Sequence, residues 1–522
     1  MESSSHIYEM FKNRENFKDR LILEGIVVGV LIGLVVSALR FVLEKAGIYL
    51  LDVYRVLETK IYLLPIWLIF LVALGLFTNY ILKLEPMISG SGIPQVEGTI
   101  IGYFKLNWLK IFIMKFVGTI LMIGAGLSLG REGPCVQLGA SLGQGVSRSL
   151  KRMRFEEKYL ITCGAGAGLA AAFNAPLAGV IFSLEELHKN FSPIVLVSSM
   201  VSSLTATYIT DTFLGLKTVF DIANMPIVPF SQYFYLLLLG VIIGFGGIIF
   251  NKSLLKSQDL YNKYVKIPQL KIFIPLLLSV IVGFFLPMVL GGGESLVDKI
   301  SGADLGFVFV AILLISKFLF TIISYGSGVP GGIFMPLLAI GALIGNLYGI
   351  TIIHAFNINS IYLKDFVVLA MAGYFAAIVR APITGSLLVT EMTGSFSHLL
   401  ALSTVSITAY IVSGFYGNEP IYESLLDRII KSRVNVANVD ESDDAAKILF
   451  EMPVAVGSFV DGKKLKDIEW PHSCLVVGIK RGGKEIIPKG NTKILAGDYI
   501  VLLGNEKDVV NIKNNIRKMT EI

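Results

Sequence analysis

Gly130-Arg131-Glu132-Gly133-Pro134-Cys135-Val136-Gln137-Leu138-Gly139-Ala140-Ser141-Leu142-Gly143 has a partner later in the chain: Gly332-Ile333-Phe334-Met335-Pro336-Leu337-Leu338-Ala339-Ile340-Gly341-Ala342-Leu343-Ile344-Gly345. Both read G-x-x-x-P-x-x-x-x-G-A-x-x-G, 202 residues apart. A second pair follows at an offset of 206: Ala175-Pro176-x-x-Gly179 with Glu185, and Ala381-Pro382-x-x-Gly385 with Glu391. Two matches at nearly one offset indicate two homologous halves. In an apolar chain, paired halves with glycine- and proline-interrupted segments point to a transporter-like architecture with its site at the midplane between them. The sequence alone leaves the relative orientation of the halves open.

The chain is apolar enough for that. Of 522 residues, 54% are hydrophobic and 16% charged, with a mean hydropathy of +0.70. Soluble domains carry about 25% charged residues, and disordered chains are far more polar. A polytopic membrane protein remains. The net charge of +6 does not suggest nucleic-acid binding, and the three scattered cysteines give neither a disulfide framework nor metal-ligand spacing.

Charge-free runs locate the spans. Asn190 to Thr210 is 21 residues long, Ile272 to Gly293 is 22, Met392 to Asn418 is 27 and Phe318 to Leu363 is 46. A helix crosses a bilayer in about 20 residues, so the longest run holds more than one helix. It contains Gly326, Gly328, Pro330, Gly331, Gly332 and Pro336. Broken helices at membrane depth are tolerated where the freed backbone lines a cavity. The N-terminal segment 1–20, with Lys12, Arg14, Lys18 and Arg20, reads as cytoplasmic by the basic-inside rule. Leu21 to Leu39 reads as a retained first span rather than a cleaved signal. Near residue 434 the composition changes: residues 434–522 are about 29% charged and the rest about 13%. The expected organisation is therefore a transmembrane domain over 21–425, a linker over 426–440 and a soluble cytoplasmic domain over 441–522, in a multi-pass protein of the cell membrane.

Three segments place glycines before a proline and an apolar run: Gly90-Ser91-Gly92-Ile93-Pro94, Gly130 to Pro134, and Gly331 to Pro336. Proline suits a first helical turn, so each is expected to open a helix. Helix N-termini offer free N–H groups and partial positive charge. Several aimed at one point make an anion site without a full cation, which suits an ion that must bind and leave. The competing explanation is close helix packing through small residues. None of the segments is a phosphate loop of the G-x-x-x-x-G-K-[ST] type.

In order and separation the three segments resemble the signature motifs of the CLC chloride channel and transporter family. Tyr422 in Asn418-Glu419-Pro420-Ile421-Tyr422 matches a fourth element, and the stretch from Gly164 to Pro176 also matches. The resemblance covers about residues 20 to 425. It implies an all-α fold of two inverted repeats of tilted and re-entrant helices, and a homodimer with one anion pathway per subunit. By motif it implies that the Ser91 and Tyr422 hydroxyls and the backbone amides of Ile333 and Phe334 bind chloride. Hydroxyls are neutral donors, so they hold an anion without trapping it. Taken singly, Ser91 also reads as a helix cap and Tyr422 as an interfacial aromatic.

Glu132 matches the family's gating glutamate. An ionisable residue in an apolar segment is costly and usually functional. Ionised, its carboxylate stands where an anion would; protonated, it swings away. The alternative is a static ion pair with Arg131. Glu186 aligns with the internal proton-relay glutamate of the exchanging members, where channel members carry an apolar residue. Glu185 beside it matches Glu391 across the repeat, which suggests helix packing, and Glu97 is a secondary member of the internal polar cluster. The resemblance then implies two-for-one exchange of chloride for protons, with a passive gated chloride channel as the rival. Gln95 and Met335 depart from the residues common in their motifs, and neither supplies an expected anion contact. Ser91 and Pro134 resemble chloride-type members rather than nitrate- or fluoride-type ones.

The remaining expectations are negative or concern the tail. His6, His188, His354 and His398 lie far apart and read as solvated or interfacial, so no metal or other cofactor is expected. No H-E-x-x-H or G-x-S-x-G motif suggests an enzyme, and no Thr-Val-Gly-Tyr-Gly-like filter suggests a potassium channel. The tail alternates β-like runs (Val454–Gly457, Cys474–Ile479, Glu485–Ile487, Asp498–Leu503) with a Gly482-Gly483 turn and helical patches near Ser442–Glu451 and Lys507–Met519. It resembles the C-terminal subdomain of potassium-conductance regulators (TrkA-C). That resemblance implies dimerisation and either a small-molecule or nucleotide ligand, cyclic dinucleotides among the candidates, or a ligand-free dimerisation module.

Overall fold

A computed structural model describes residues 2–520 except 105, 153, 190, 217, 221–225, 303–304, 438–446, 456, 472–473, 482–483 and 506–508. The chain divides into two compact units, residues 1–100 with 106–426, and residues 101–105 with 427–522.

The first unit is helical. Its first half runs α1 (Glu2–Thr59), α2 (Leu64–Leu84), α3 (Ile93–Ile101), α4 (Trp108–Gly124), α5 (Glu132–Ser149), α6 (Arg154–Phe173), α7 (Pro176–Phe182) with a π turn at Ser183–Leu187, and α8 (Pro193–Leu214). Its second half runs α9 (Tyr233–Tyr264), α10 (Phe273–Phe285), α11 (Glu294–Gly302), α12 (Phe307–Gly326), α13 (Phe334–Phe356), α14 (Leu363–Val379), α15 (Pro382–Thr393) and α16 (Leu399–Phe415). Helix α17 (Ile421–Ala437) follows. Among the described residues nine helices are long and apolar enough to cross a membrane. The 46-residue charge-free run is broken between Gly326 and Phe334, so it holds the second half of α12, all of α13 and the first residue of α14. The expected first span is the body of one long helix, α1, which begins at Glu2.

The repeated glycines are packing devices as well as breaks. A Cβ on Gly139 would collide with the Gly164 carbonyl oxygen, and one on Gly143 with that of Leu160, so α5 and α6 touch backbone to backbone. Gly341 and Gly345 bring α13 against α14 at Ala370 and Phe366 in the same way. Such approach is the ordinary route to tight helix association in lipid, where apolar burial gives no advantage.

The two halves meet at equivalent residues. Gly130 and Gly332, 202 positions apart, donate N–H to each other's carbonyl, both at 2.7 Å. Glu391 accepts from the N–H groups of Leu177 and Ala178 at the start of α7, at 3.1 and 2.8 Å. Its counterpart Glu185 accepts from Ile383 and Thr384 at the start of α15, at 3.3 and 2.7 Å. Each half thus satisfies the otherwise unpaired N–H groups that open a helix in the other.

One histidine corrects the sequence reading. His398 is buried, 2% exposed, rather than solvated or interfacial. Its ring meets Ser395 Oγ at 2.6 Å, the Pro226 carbonyl at 2.9 Å and the Asp365 carboxylate at 3.1 Å. Those partners, from segments far apart in the chain, satisfy the ring and permit its burial.

The second unit contains an antiparallel sheet of order β1-β4-β2-β3, made of β1 (Lys447–Pro453), β2 (Cys474–Arg481), β3 (Lys484–Ile486) and β4 (Tyr499–Asn505). Helix α18 (Val509–Thr520) buries Ile512 and Ile516 in the core formed with Phe450, Ile479, Ile500 and Leu502. The expected patch at Lys507–Met519 is thus helical from Val509. The patch expected over Ser442–Glu451 is not: 442–446 lie outside the described residues and 447–451 belong to β1. Phe450 and Met452 are buried while Glu451 is exposed, and pairing with β4 over seven residues overrides the helical propensity of the alanines before it. The run expected at Val454–Gly457 begins where β1 has ended. Gly482-Gly483 lies outside the described residues. Asp498, 1% exposed at its side chain, accepts two 2.7 Å hydrogen bonds from Arg481 and one of 2.9 Å from the Leu495 N–H.

Candidate functional site

The three glycine-rich segments are stitched together by backbone hydrogen bonds. Gly90 donates to the Val329 carbonyl at 3.1 Å and accepts from Gly331 at 3.0 Å, and Gly130 and Gly332 bond reciprocally. Gly90 and Gly92 have φ of +63° and +96°, which L side chains rarely adopt. A Cβ on Gly133 would collide with Ser91 Oγ, and one on Gly332 would lie 3.2 Å from the Gly133 nitrogen. The starts of α3, α5 and α13 therefore converge. Neither α5 nor α13 has a side-chain cap at its N-cap residue, Arg131 or Ile333.

Ser91 and Tyr422 are 1% and 0% exposed. Their side chains approach each other, yet among the described residues neither hydroxyl oxygen has a hydrogen-bond partner of normal geometry. Leaving a buried polar group unsatisfied costs about 1–3 kcal/mol, so two at one place make a candidate polar site. Ile333 and Phe334 are fully buried. The Phe334 ring packs on Phe173 and Phe375, with centroids 5.1 and 4.4 Å away. This fixes the first turn of α13.

Glu132 is fully buried at the first position of α5. Its Oε2 accepts from the Met335 N–H at 3.3 Å, and among the described residues its Oε1 has no hydrogen-bond partner. Arg131 ion-pairs with Glu294 at the start of α11, 2.7 Å away. The guanidinium next to Glu132 thus points to another carboxylate, and Glu132 rests on the N-terminus of α13. Tyr422 has both Glu132 and Glu186 among its electrostatic neighbours.

The two adjacent glutamates separate by role. Glu185 caps α15, as described. Glu186 is 4% exposed on the π turn, and among the described residues its Oε1 has no hydrogen-bond partner. π turns in helices occur frequently at functional sites. Near Glu186 lie Glu97, Lys189 and Glu423.

Sequence reading missed three parts of this region. Lys115 is fully buried and donates to the Ile88 and Gly90 carbonyls at 2.8 and 2.6 Å. Lys317, 202 residues on, does the same to Val289 and Gly291 at 3.0 and 2.7 Å. Each lysine braces a glycine turn, and the turns match: Pro86-Met87-Ile88-x-Gly90-x-Gly92 and Pro287-Met288-Val289-x-Gly291-x-Gly293. This third repeat pair, offset by 201, was available in the self-comparison. The Arg131–Glu294 pair and the contacts of Lys189 had no such signal. Gln95, a departure in the first motif, donates to the Ser89 carbonyl at 2.8 Å and so braces the same turn as Lys115.

Residues 68–414 match the voltage gated chloride channel family, and residues 449–517 match the TrkA-C domain. The H(+)/Cl(−) exchange transporter ClcA of Vibrio cholerae serotype O1 (strain M66-2) is 33% identical over 444 residues, which cover 82% of this chain and 93% of that protein. The crystal structure of a slow cyanobacterial Cl−/H+ antiporter superimposes with a TM-score of 0.75 at 30% identity, covering 78% of this chain and 98% of that one. A CLC-type fluoride/proton antiporter superimposes with a TM-score of 0.64 at 25% identity, covering 77% and 98%. With its repeated helical halves and its converging glycine-rich turns, this multi-span membrane chain, which carries a TrkA-C domain, belongs to the CLC (voltage gated chloride channel) family.

Proposed function

We propose that the protein is a secondary transporter that exchanges chloride for protons. The observation that carries this reading is the hydrogen bond from the Met335 N–H to Glu132. A carboxylate rests on a helix N-terminus beside two unpartnered hydroxyls, so a side chain of the protein and a chloride ion compete for the same kind of donor. The similarity to exchange transporters supports it.

In this reading chloride is held by the Ser91 and Tyr422 hydroxyls and the Ile333 and Phe334 amides. Each helix N-terminus contributes about 0.3–1 kcal/mol to an anion, more when partly buried, which suits an ion that must also leave. Ionised Glu132 closes the path. A proton on Glu132 removes the charge, weakens its hold on α13 and opens the place to chloride. Glu186 takes the proton from the other side, and Tyr422 stands near both carboxyls. The protein acts as a homodimer with one such pathway per subunit. The N-terminus and the tail lie in the cytoplasm, and the tail modulates transport. Lys12, Arg14, Lys18 and Arg20 support the placement of the N-terminus.

Reconstitution of Glu186→Gln tests the reading. Proton movement is expected to vanish while chloride flux persists. Proton movement at the parental ratio removes Glu186 from the path.

A further inference from the structure

Four charged side chains from three elements meet at the Glu186 turn. Glu186 and Lys189 lie on and just after the π turn, Glu97 on α3, and Glu423 in the first turn of α17 next to Tyr422. Lys189 Nζ is 2.6 Å from Glu97 Oε1 and also pairs with Glu423. Lys189 has a φ of +50°, which is uncommon for a residue with a side chain and is kept where the surroundings hold it. Glu97 is 2% exposed, and a carboxylate that deep stays charged only beside a cation. Among the described residues no cation lies within ion-pair distance of Glu186. Glu185, also close, is held by the N-terminus of α15.

We propose that Lys189 is a positioning residue for the exchange: an ionic strap between Glu97 and Glu423 that sets how tightly proton uptake at Glu186 is coupled to chloride passage at Tyr422. The proposal rests on the roles of Glu186 and Tyr422 proposed above. Two effects follow from one side chain. Lys189 neutralises its two partners, so of the three clustered carboxyls Glu186 is the one that receives the proton. The pair with Glu423 also fixes the first turn of α17, and with it the adjacent Tyr422 against Ser91. With the strap gone, a proton is shared over three carboxyls and Tyr422 is looser, so chloride passes without waiting for a proton.

The test uses the full-length protein in liposomes, with protons moved per chloride as the readout. Lys189→Met keeps most of the stem and removes the charge. The ratio is expected to fall at least threefold while chloride flux persists. Lys189→Arg is expected to restore the ratio, which a defect in packing alone does not explain. Glu423→Gln, which removes one arm, is expected to lower the ratio less. If Lys189→Met does not fold, Glu423→Gln decides, since a parental ratio there overturns the strap. A parental ratio in folded Lys189→Met also overturns it. In that case loss of proton movement in Glu186→Gln shows that the relay stands and the strap alone fails. Proton movement that survives Glu186→Gln overturns both.

Discussion

Glu132 Oε2 and the Met335 N–H, from equivalent turns of the two repeats, are joined by a 3.3 Å hydrogen bond, while the guanidinium beside Glu132 pairs with Glu294 instead. The carboxylate is therefore held by a helix N-terminus rather than by the adjacent guanidinium. Glu132→Gln removes the charge but not the shape. Its chloride flux is expected to become nearly independent of pH and to carry no protons, as measured by flux from loaded liposomes over a range of pH. A flux that keeps the parental pH profile contradicts the gating role.

Glu185 and Glu186 are expected to fail differently. Glu185→Ala leaves the N–H groups of Ile383 and Thr384 without their acceptor, at a cost of about 1–3 kcal/mol. Thermal unfolding in detergent is expected to shift down, with the coupling ratio of the folded fraction unchanged. Glu186→Gln is expected to do the opposite. Equal effects of the two on coupling contradict the division of roles.

The difference between these neighbours shows what the sequence carries. The glycine-rich turns and the repeat were legible because they are short local patterns. The match of Glu185 to Glu391 was legible for the same reason; it suggested helix packing, and the reciprocal caps appear only in the fold. The Lys189 contacts were not legible, since Glu97, Lys189 and Glu423 lie far apart in the chain and no motif contains more than one of them. Nor was the partner of Arg131, because adjacency suggested Glu132 and only the folded start of α11 brings Glu294 within reach. Lys115 and Lys317 were not legible for a different reason: each bonds backbone carbonyls of a turn more than 20 residues away, and carbonyl acceptors leave no mark in a side-chain pattern. In the tail, strand pairing decided the state of 447–451, which local propensity misjudged.

Backbone contact between α5 and α6 makes a stability test. Gly139→Ala forces a methyl onto the Gly164 carbonyl and is expected to cost about 1–3 kcal/mol. Gly47→Ala, in α1 with nothing within 4 Å of the added carbon, is expected to be neutral or slightly stabilising. Thermal unfolding of the two side by side checks the contrast, and equal behaviour contradicts the packing.

The tail has an acid-sensitive pair. Burial pushes the Asp498 carboxyl up, but the Arg481 guanidinium and the Leu495 N–H outweigh it and hold the group below the usual carboxylate range. The stabilisation is therefore present at neutral pH and is lost as pH falls through the lowered value. Arg481→Met is expected to destabilise the tail by about 1.5–3 kcal/mol at neutral pH and to leave it less affected by acid as pH falls below about 4. Hydrogen exchange of the β2 and β4 amides against pH measures this, and parental protection in the variant contradicts it.

In the proposed exchange, chloride and proton movements are tied together. Its most direct measurement holds the purified protein in liposomes at equal pH on both sides, clamps the membrane potential at zero, imposes a chloride gradient and records external pH. The expected result is sustained proton movement opposite to the chloride flux, reversing sign when the chloride gradient is reversed. Chloride flux with no proton movement would contradict the account and make the protein a passive chloride pathway.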